Sequence, residues 1–69
     1  MRLLMIDRLA SVALMVARRT GPDIKTADIC RWLKTATPGK WRELAAMANV
    51  TPPPKEVRAA VVEHLERTA

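Results

Sequence analysis

The sequence contains no phenylalanine and no tyrosine, and its aromatic residues are limited to Trp32 and Trp41. Its hydrophobic core must therefore be built from leucine, valine, isoleucine, methionine and alanine, an inventory that favours helices. With two glycines in the whole chain, there is no glycine-rich loop of the kind that cradles a phosphate group. Because no segment shows the alternating pattern of a β-strand, we predict an all-α fold.

Cysteine and histidine each occur once, as Cys30 and His64. A single cysteine excludes a disulfide within the chain, and one cysteine with one histidine does not form a set of metal ligands at any usual spacing. General acid–base catalysis needs an oriented partner, and the sequence places none near His64. We therefore expect Cys30 to be a small buried thiol and His64 to lie beside an apolar stripe. The sequence predicts no enzyme, no metal site and no cofactor.

Long hydrophobic runs are also absent. The longest mostly apolar stretch, residues 9–17, is shorter than the roughly 20 residues that a helix needs to cross a bilayer. Arg18 and Arg19 follow this stretch, whereas a cleavable export signal carries its basic residues before the apolar part. The expectation is a cytoplasmic protein without a membrane partner.

Basic residues outnumber acidic ones, with twelve lysines and arginines against seven aspartates and glutamates, which gives a net charge of +5. The excess is uneven: residues 1–42 carry nine positive and three negative side chains, while residues 43–69 carry three positive and four negative ones. Such a basic balance favours a polyanionic partner such as nucleic acid. The alternative is a basic protein whose charge serves solubility alone.

Prolines, glycines and capping residues divide the chain into four predicted helices, over residues 3–19, 27–36, 40–49 and 55–67. A chain of 69 residues allows one domain, residues 1–69. Gly21 is expected to supply a left-handed turn at the end of helix 1, and Thr26 to cap helix 2. Thr37 is expected to cap helix 3, with Pro38 at the first helical position.

Helix 1 is apolar around most of its circumference, and only Asp7, Ser11 and Arg18 mark a narrow polar stripe. A helix that is apolar nearly all round is buried nearly all round, and three short helices are too few to enclose it. Small domains also use oligomerisation to supplement a limited core. We therefore predict a homodimer, or a complex with another protein, through helix 1. The predicted interface comprises Leu4, Met5, Leu9, Val12, Val16 and Trp41.

Residues 26–48, TADICRWLKTATPGKWRELAAMA, place two Trp-bearing helices around a short break. This stretch, about a third of the chain, resembles in a generic way the helix-turn-helix of DNA-binding domains. The resemblance implies that helix 3 is a recognition helix, with Arg42 and Asn49 at base edges, because their side chains match guanine and adenine. The surface expected to face duplex DNA comprises Arg31, Lys34, Thr37, Lys40, Arg42 and Asn49.

A second interpretation concerns the C-terminal half. Residues 41–65, WRELAAMANVTPPPKEVRAAVVEHL, resemble the helix–extended loop–helix unit of SAP-like nucleic-acid-binding modules. The connector here is rich in proline where that pattern has glycine and lysine, and its charge is near neutral.

The two tryptophans allow two roles. Trp32 and Trp41 lie on apolar stripes at helical spacing, which indicates a place in the core between helices 2 and 3. The alternative, a base-stacking platform, requires exposed rings in a basic groove.

Two functions from different classes remain open on the sequence. The first is a small cytoplasmic DNA-binding transcriptional regulator, a homodimer that uses helices 2 and 3 on adjacent half-sites. The second is a small interaction protein, of the sort that phages and plasmids encode, which binds a host protein and inhibits or redirects it. In that case helix 1 and the Trp-flanked segment 37–42 would bind the partner, because exposed tryptophan and arginine are enriched at interface hot spots.

Overall fold

The computed structural model describes residues 2–68, with side chains from Leu4 onward, so that Met1 and Ala69 of the predicted domain lie outside the described residues. Four helices make up the fold, and no β-strand occurs between residues 2 and 68. The all-α prediction is confirmed, and each helix end lies within two residues of the predicted position. The helices are α1 (Arg2–Thr20), α2 (Thr26–Thr35), α3 (Pro38–Ala48) and α4 (Lys55–Thr68).

α1 lies at the centre of the fold, because α2, α3 and α4 all pack against it. Its inward face carries Leu9 together with three alanines, Ala10, Ala13 and Ala17, and all four side chains are buried. Small side chains on this face let the neighbouring helices approach the α1 backbone closely. α2 also packs directly on α4. The core residues that the other three helices contribute are Ile29, Cys30, Leu33, Trp41, Leu44, Ala45, Ala48, Val57, Val61, Val62 and Leu65.

The outer face of α1 is only partly covered. Leu4 and Met15 expose 58% and 43% of their surface. Leu9, which we expected in an interface between chains, is instead fully enclosed by its own chain. Three helices therefore cover more of α1 than its apolar pattern predicts, and the uncovered part is a stripe. The remaining predicted interface residues on this helix are half-buried against the core, namely Met5, Val12 and Val16.

Two helix ends differ from the prediction. No glycine in the described chain has a positive φ, so the left-handed turn expected at Gly21 is wrong. The Gly21 N–H still donates to the Ala17 carbonyl at 3.0 Å, and α1 ends because Pro22 disfavours the α region for the residue before it. α2 begins at Thr26 itself, after Lys25, which provides no side-chain cap.

Both ends of α3 have a clear chemical cause. Thr37 is the predicted N-cap, since its side-chain oxygen accepts a hydrogen bond from the Lys40 backbone N–H at 3.2 Å. Pro38 occupies the first turn, as predicted, so that the segment between α2 and α3 comprises only residues 36–37. Asn49 ends α3 in the left-handed conformation, with φ 57° and ψ 46°, which asparagine adopts more readily than most residues.

α2 and α3 diverge after this short connection. Their connecting residues are extended, with ψ of 141° at Ala36 and 159° at Thr37, and within the described chain the two helices make no close backbone approach. A tightly crossed helix-turn-helix would bring the two backbones together. Here Leu33 of α2 and Trp41 of α3 instead line a shared space with Val62 of α4. The result is an open cleft between α2, α3 and α4.

Because Leu9 is fully buried at the centre of the core, Leu9→Ala should lower the free energy of unfolding by about 2–5 kcal/mol. Met47 on α3 exposes 49% of its surface, so that Met47→Ala should change this free energy by no more than about 0.5 kcal/mol. Urea denaturation followed by circular dichroism measures both values. Equal losses in the two variants would contradict the core described above.

Candidate nucleic-acid interface

The six residues predicted to face DNA lie at the surface, on α2, on α3 or at the ends of α3. Five of them are exposed, and Lys40 is half-buried. Thr37 and Asn49 also have structural roles, since they mark the start and the end of α3. All six side chains are therefore accessible to a partner, but the two capping residues would affect α3 even without one.

Three of the four basic residues in this set lie close to a carboxylate. Their side chains are accessible to solvent, and exposed ion pairs contribute at most about 1 kcal/mol. A phosphate group can therefore displace these carboxylates. Arg42 has no carboxylate partner within residues 2–68. The nitrogen–oxygen distances are 3.0 Å for Lys40–Glu43, 3.5 Å for Arg31–Asp28 and 3.9 Å for Lys34–Glu66.

The cleft between α2, α3 and α4 has a volume of about 380 Å³ and combines an apolar floor with a cationic rim. Lys34 of α2 lies on one side of the rim, and Lys55 and Arg58 of α4 lie on the other. Both α4 residues lie in the first turn of that helix, three positions apart. The floor consists of Leu33, Ala36, Trp41, Ala59 and Val62.

A smaller concavity of about 300 Å³ adjoins this cleft and shares Trp41 and Arg58 with it. Arg42 of α3 lines the smaller concavity, opposite prolines of the connector that leads into α4. We refer to the two together as the basic cleft. Among the described residues, no carboxylate lines either part. The basic cleft thus gathers the cations of three helices, which are Lys34, Arg42, Lys55 and Arg58.

Arg58 is the most constrained of these cations. It is half-buried, and its Nε atom is fully buried without a hydrogen-bond partner in the described chain. A buried donor that lacks an acceptor costs about 1–3 kcal/mol. Neither Arg58 nor Lys55 forms an ion pair with any carboxylate among residues 2–68. The charges of Lys55 and Arg58 are therefore not neutralised by a described carboxylate, and both side chains line the cleft.

Sequence reasoning placed Lys34 and Arg42 in the site but missed Lys55 and Arg58. The two α4 residues belong to a half of the chain that is close to neutral, so that charge counting gave them no weight. One signal in the sequence points to them: they are three residues apart immediately after the prolines, which places them on one side of the first turn of α4.

The two tryptophans have different environments. Trp41 is only 3% exposed and belongs to the core, as its helical spacing indicates, while Trp32 is half-buried. The prediction that Trp41 lies in an interface between chains is therefore wrong, because its own chain encloses it. Trp41 lines both parts of the basic cleft. Its ring is too enclosed for a base to stack on its face, since stacking requires an exposed ring.

Cys30 is a buried thiol, as predicted, and its Sγ lies 3.8 Å from the Val62 carbonyl oxygen. Burial raises the pKa of the Cys30 thiol, the Glu66 carboxylate raises it further, and Lys34 acts in the opposite direction. A thiol whose pKa is raised carries little thiolate at neutral pH, which is the form that reacts with electrophiles.

His64 links α4 to α1, with its Nε2 atom 3.6 Å from a carboxylate oxygen of Asp7. Both side chains are accessible to solvent, so the pair is a surface contact between two packed helices. Within the part of the chain that the structure describes, no group of three or more histidine, cysteine, aspartate or glutamate residues is placed to hold a metal ion.

No helix between residues 2 and 68 combines the length and the hydrophobicity needed to cross a membrane. Comparison with known proteins found no match to a protein family, a curated protein or a solved structure.

Thr37→Ala removes the side chain that caps α3, and the free energy of unfolding should fall by about 1 kcal/mol. Thr37→Ser keeps a hydroxyl at the same position and should retain most of the stability. Urea denaturation distinguishes the two variants. If the serine variant loses as much stability as the alanine variant, the hydrogen bond to Lys40 does not cap the helix.

Proposed function

We propose that the protein is a small DNA-binding regulator, which binds duplex DNA through α2, α3 and the first turn of α4. The observation that carries this proposal is the basic cleft, because three helices contribute cations to it and no described carboxylate lines it. Lysine and arginine side chains that contact phosphates supply most of the affinity in non-specific DNA binding. The net charge of +5 adds a long-range attraction to any polyanion.

In this proposal α3 is the recognition helix of a helix-turn-helix-like unit. Arg42 and Asn49 are both exposed on it, and their side chains match guanine and adenine in the major groove. Arg31 and Lys34 on α2 would contact the flanking phosphates. Because α2 diverges from α3, the two helices would contact different parts of the duplex. α3 would enter the groove, while α2 and the first turn of α4 would follow the two phosphate backbones.

The outer face of α1 supports a homodimer as part of the same proposal. Leu4 and Met15 are exposed on this face eleven residues apart, which corresponds to about three helical turns and places them on one line. Ser11 lies between them and is small enough to let a second helix approach. Two-fold symmetry would then duplicate the basic cleft for two adjacent half-sites.

Duplex binding by the basic cleft should weaken steeply with salt, with log K falling linearly against log salt concentration. The double variant Arg42→Ala, Lys55→Ala removes two cations of the cleft. If each contacts a phosphate, the slope should become shallower by about 1.8, since each contact contributes about 0.9. Fluorescence anisotropy with a labelled random-sequence duplex, measured from about 50 to 200 mM salt, provides the slopes.

The matched control is the double variant Arg8→Ala, Arg67→Ala, which lowers the net charge equally but leaves the lining of the basic cleft intact. Its slope should stay close to that of the unchanged protein. Equal flattening in both double variants would mean that net charge, and not the basic cleft, attracts the DNA.

The dimer is tested at Met15. Met15→Glu places a charge on the exposed stripe of α1, which Leu4 and Met15 share with the polar residues Asp7, Ser11 and Arg18. The charge should shift the protein towards the monomer, because two such charges would meet across a symmetric interface. Met47→Glu, an equally exposed position on α3, is the control. Sedimentation velocity at micromolar concentration measures the molar mass. A monomer in the unchanged protein would contradict the dimer.

A second candidate function is the interaction protein that binds another protein and inhibits or redirects it. The observation that favours it is the exposure of Leu4 and Met15 on one line of α1, where neither side chain is covered by the chain's own core. This function takes the place of the first if the unchanged protein fails to bind duplex DNA at about 50 mM salt, where phosphate contacts are strong.

A further inference from the structure

The larger part of the basic cleft has the composition of a small-molecule site. Its volume of about 380 Å³ falls in the range of ligand-binding clefts, which are mostly apolar and carry a few convergent polar groups. Five of its eight lining residues are apolar, and the other three are cations. The space lies between three helices, where the divergence of α2 and α3 leaves it open.

The cations mark one end of this space as an anion site. Arg58 has a buried Nε atom without an acceptor, and Lys55 lies three residues before it on the same helix. Both residues belong to the first turn of α4, where the helix dipole also favours negative charge. A carboxylate placed there would accept a hydrogen bond from the terminal guanidinium nitrogens of Arg58 and lie near two positive charges, Arg58 and Lys55, neither of which has a carboxylate partner among residues 2–68.

The apolar lining of the cleft requires an apolar group in the ligand. Leu33, Val62 and Ala59 line the same space, and the exposed part of this apolar lining, which is mainly Ala59, would remain in contact with water beneath an inorganic anion. A nucleic-acid backbone can use the cations on the rim, but its phosphates leave an apolar floor uncovered. An alcohol or a hydrocarbon would cover the floor but would leave Arg58 without an acceptor. The ligand that satisfies both features has one anionic group at the end of an apolar body.

We infer that the cleft between α2, α3 and α4 binds a small monocarboxylate with an aliphatic or aromatic body. The carboxylate lies against Arg58 and Lys55, and the apolar body covers the floor formed with Leu33 and Val62. This inference shares Lys55 and Arg58 with the proposed DNA binding and adds the apolar lining of the cleft. The two can fail separately, because octanoate binding is measured without DNA and duplex binding is measured without octanoate.

The test uses octanoate as the probe, titrated into the full-length ¹⁵N-labelled chain and followed by NMR. The amides of Ala59 and Val62 and the indole N–H of Trp41 should shift together. Two comparison compounds separate the two ends of the ligand: octan-1-ol has the chain without the charge, and acetate has the charge without the chain. Octanoate should bind at least about tenfold more tightly than octan-1-ol, as expected for a hydrogen bond to a charged group. It should also bind at least about tenfold more tightly than acetate, because acetate has no chain to bury.

Chain length gives a second measure. From butanoate to hexanoate to octanoate, each added methylene that leaves water should tighten binding by about fourfold, until the floor is covered.

Two pairs of variants locate the site. Arg58→Gln should weaken octanoate binding by about tenfold or more and leave octan-1-ol binding unchanged, because it removes only the charged partner. Arg31→Gln, at an exposed position outside this cleft, is its control.

Ala59→Leu should fill the cleft and weaken the binding of both octanoate and octan-1-ol, while Ala46→Leu, at an exposed position on α3, should weaken the binding of neither. Circular dichroism checks that all four variants keep their helices.

Three results would overturn the inference. The first is equal affinity for octanoate and octan-1-ol, which would show that no anion site exists. The second is a set of shifts confined to the outer face of α1, which would place any binding on Leu4 and Met15. The third is a duplex oligonucleotide that shifts Ala59 and Val62 while octanoate does not, which would assign the cleft to nucleic acid.

Discussion

The fold depends on the small side chains along the inner face of α1. Ala10, Ala13 and Ala17 succeed one another at helical spacing beside Leu9, so that three helices reach the same central helix. Larger residues at these positions would push the helices outward, because a packed core accommodates added volume poorly. Once α2 and α3 are both packed on α1, their extended two-residue connection keeps them apart. The cleft between them is thus a consequence of the way α1 is packed.

The electrostatics of the surface follow from this arrangement. Lys34, Arg42 and Arg58 come from three different helices and are distant in the sequence, yet the divergence of α2 and α3 places them around one depression. Elsewhere on the described surface, cations such as Arg31 and Arg67 lie next to carboxylates of their own helix. The cleft thus combines cations from three helices without a carboxylate in its lining, and such a group of like charges attracts an anion to one place.

Local features were predictable from the sequence, and the arrangement of the helices was not. Thr37 caps α3 as expected, because capping depends on neighbours within one turn of the helix. The role of the inner face of α1 was not predicted. The large apolar residues of helix 1 indicated an interface between chains, whereas Ala10, Ala13 and Ala17 pack against the other helices of the same chain. Lys55 and Arg58 joined the site only through tertiary packing, which no spacing within one helix encodes.

The basic cleft is costly for the stability of a chain this small. A larger side chain at Ala59, or a carboxylate beside Arg58, would bury more apolar surface or satisfy a buried donor. The sequence has neither, and both deficits occur in the same depression. Substitutions that would stabilise a fold are commonly absent where function needs an open or strained site. The open space beside Ala59 and Arg58 is thus the place where the ligand inferred above would add contacts that the fold itself does not make.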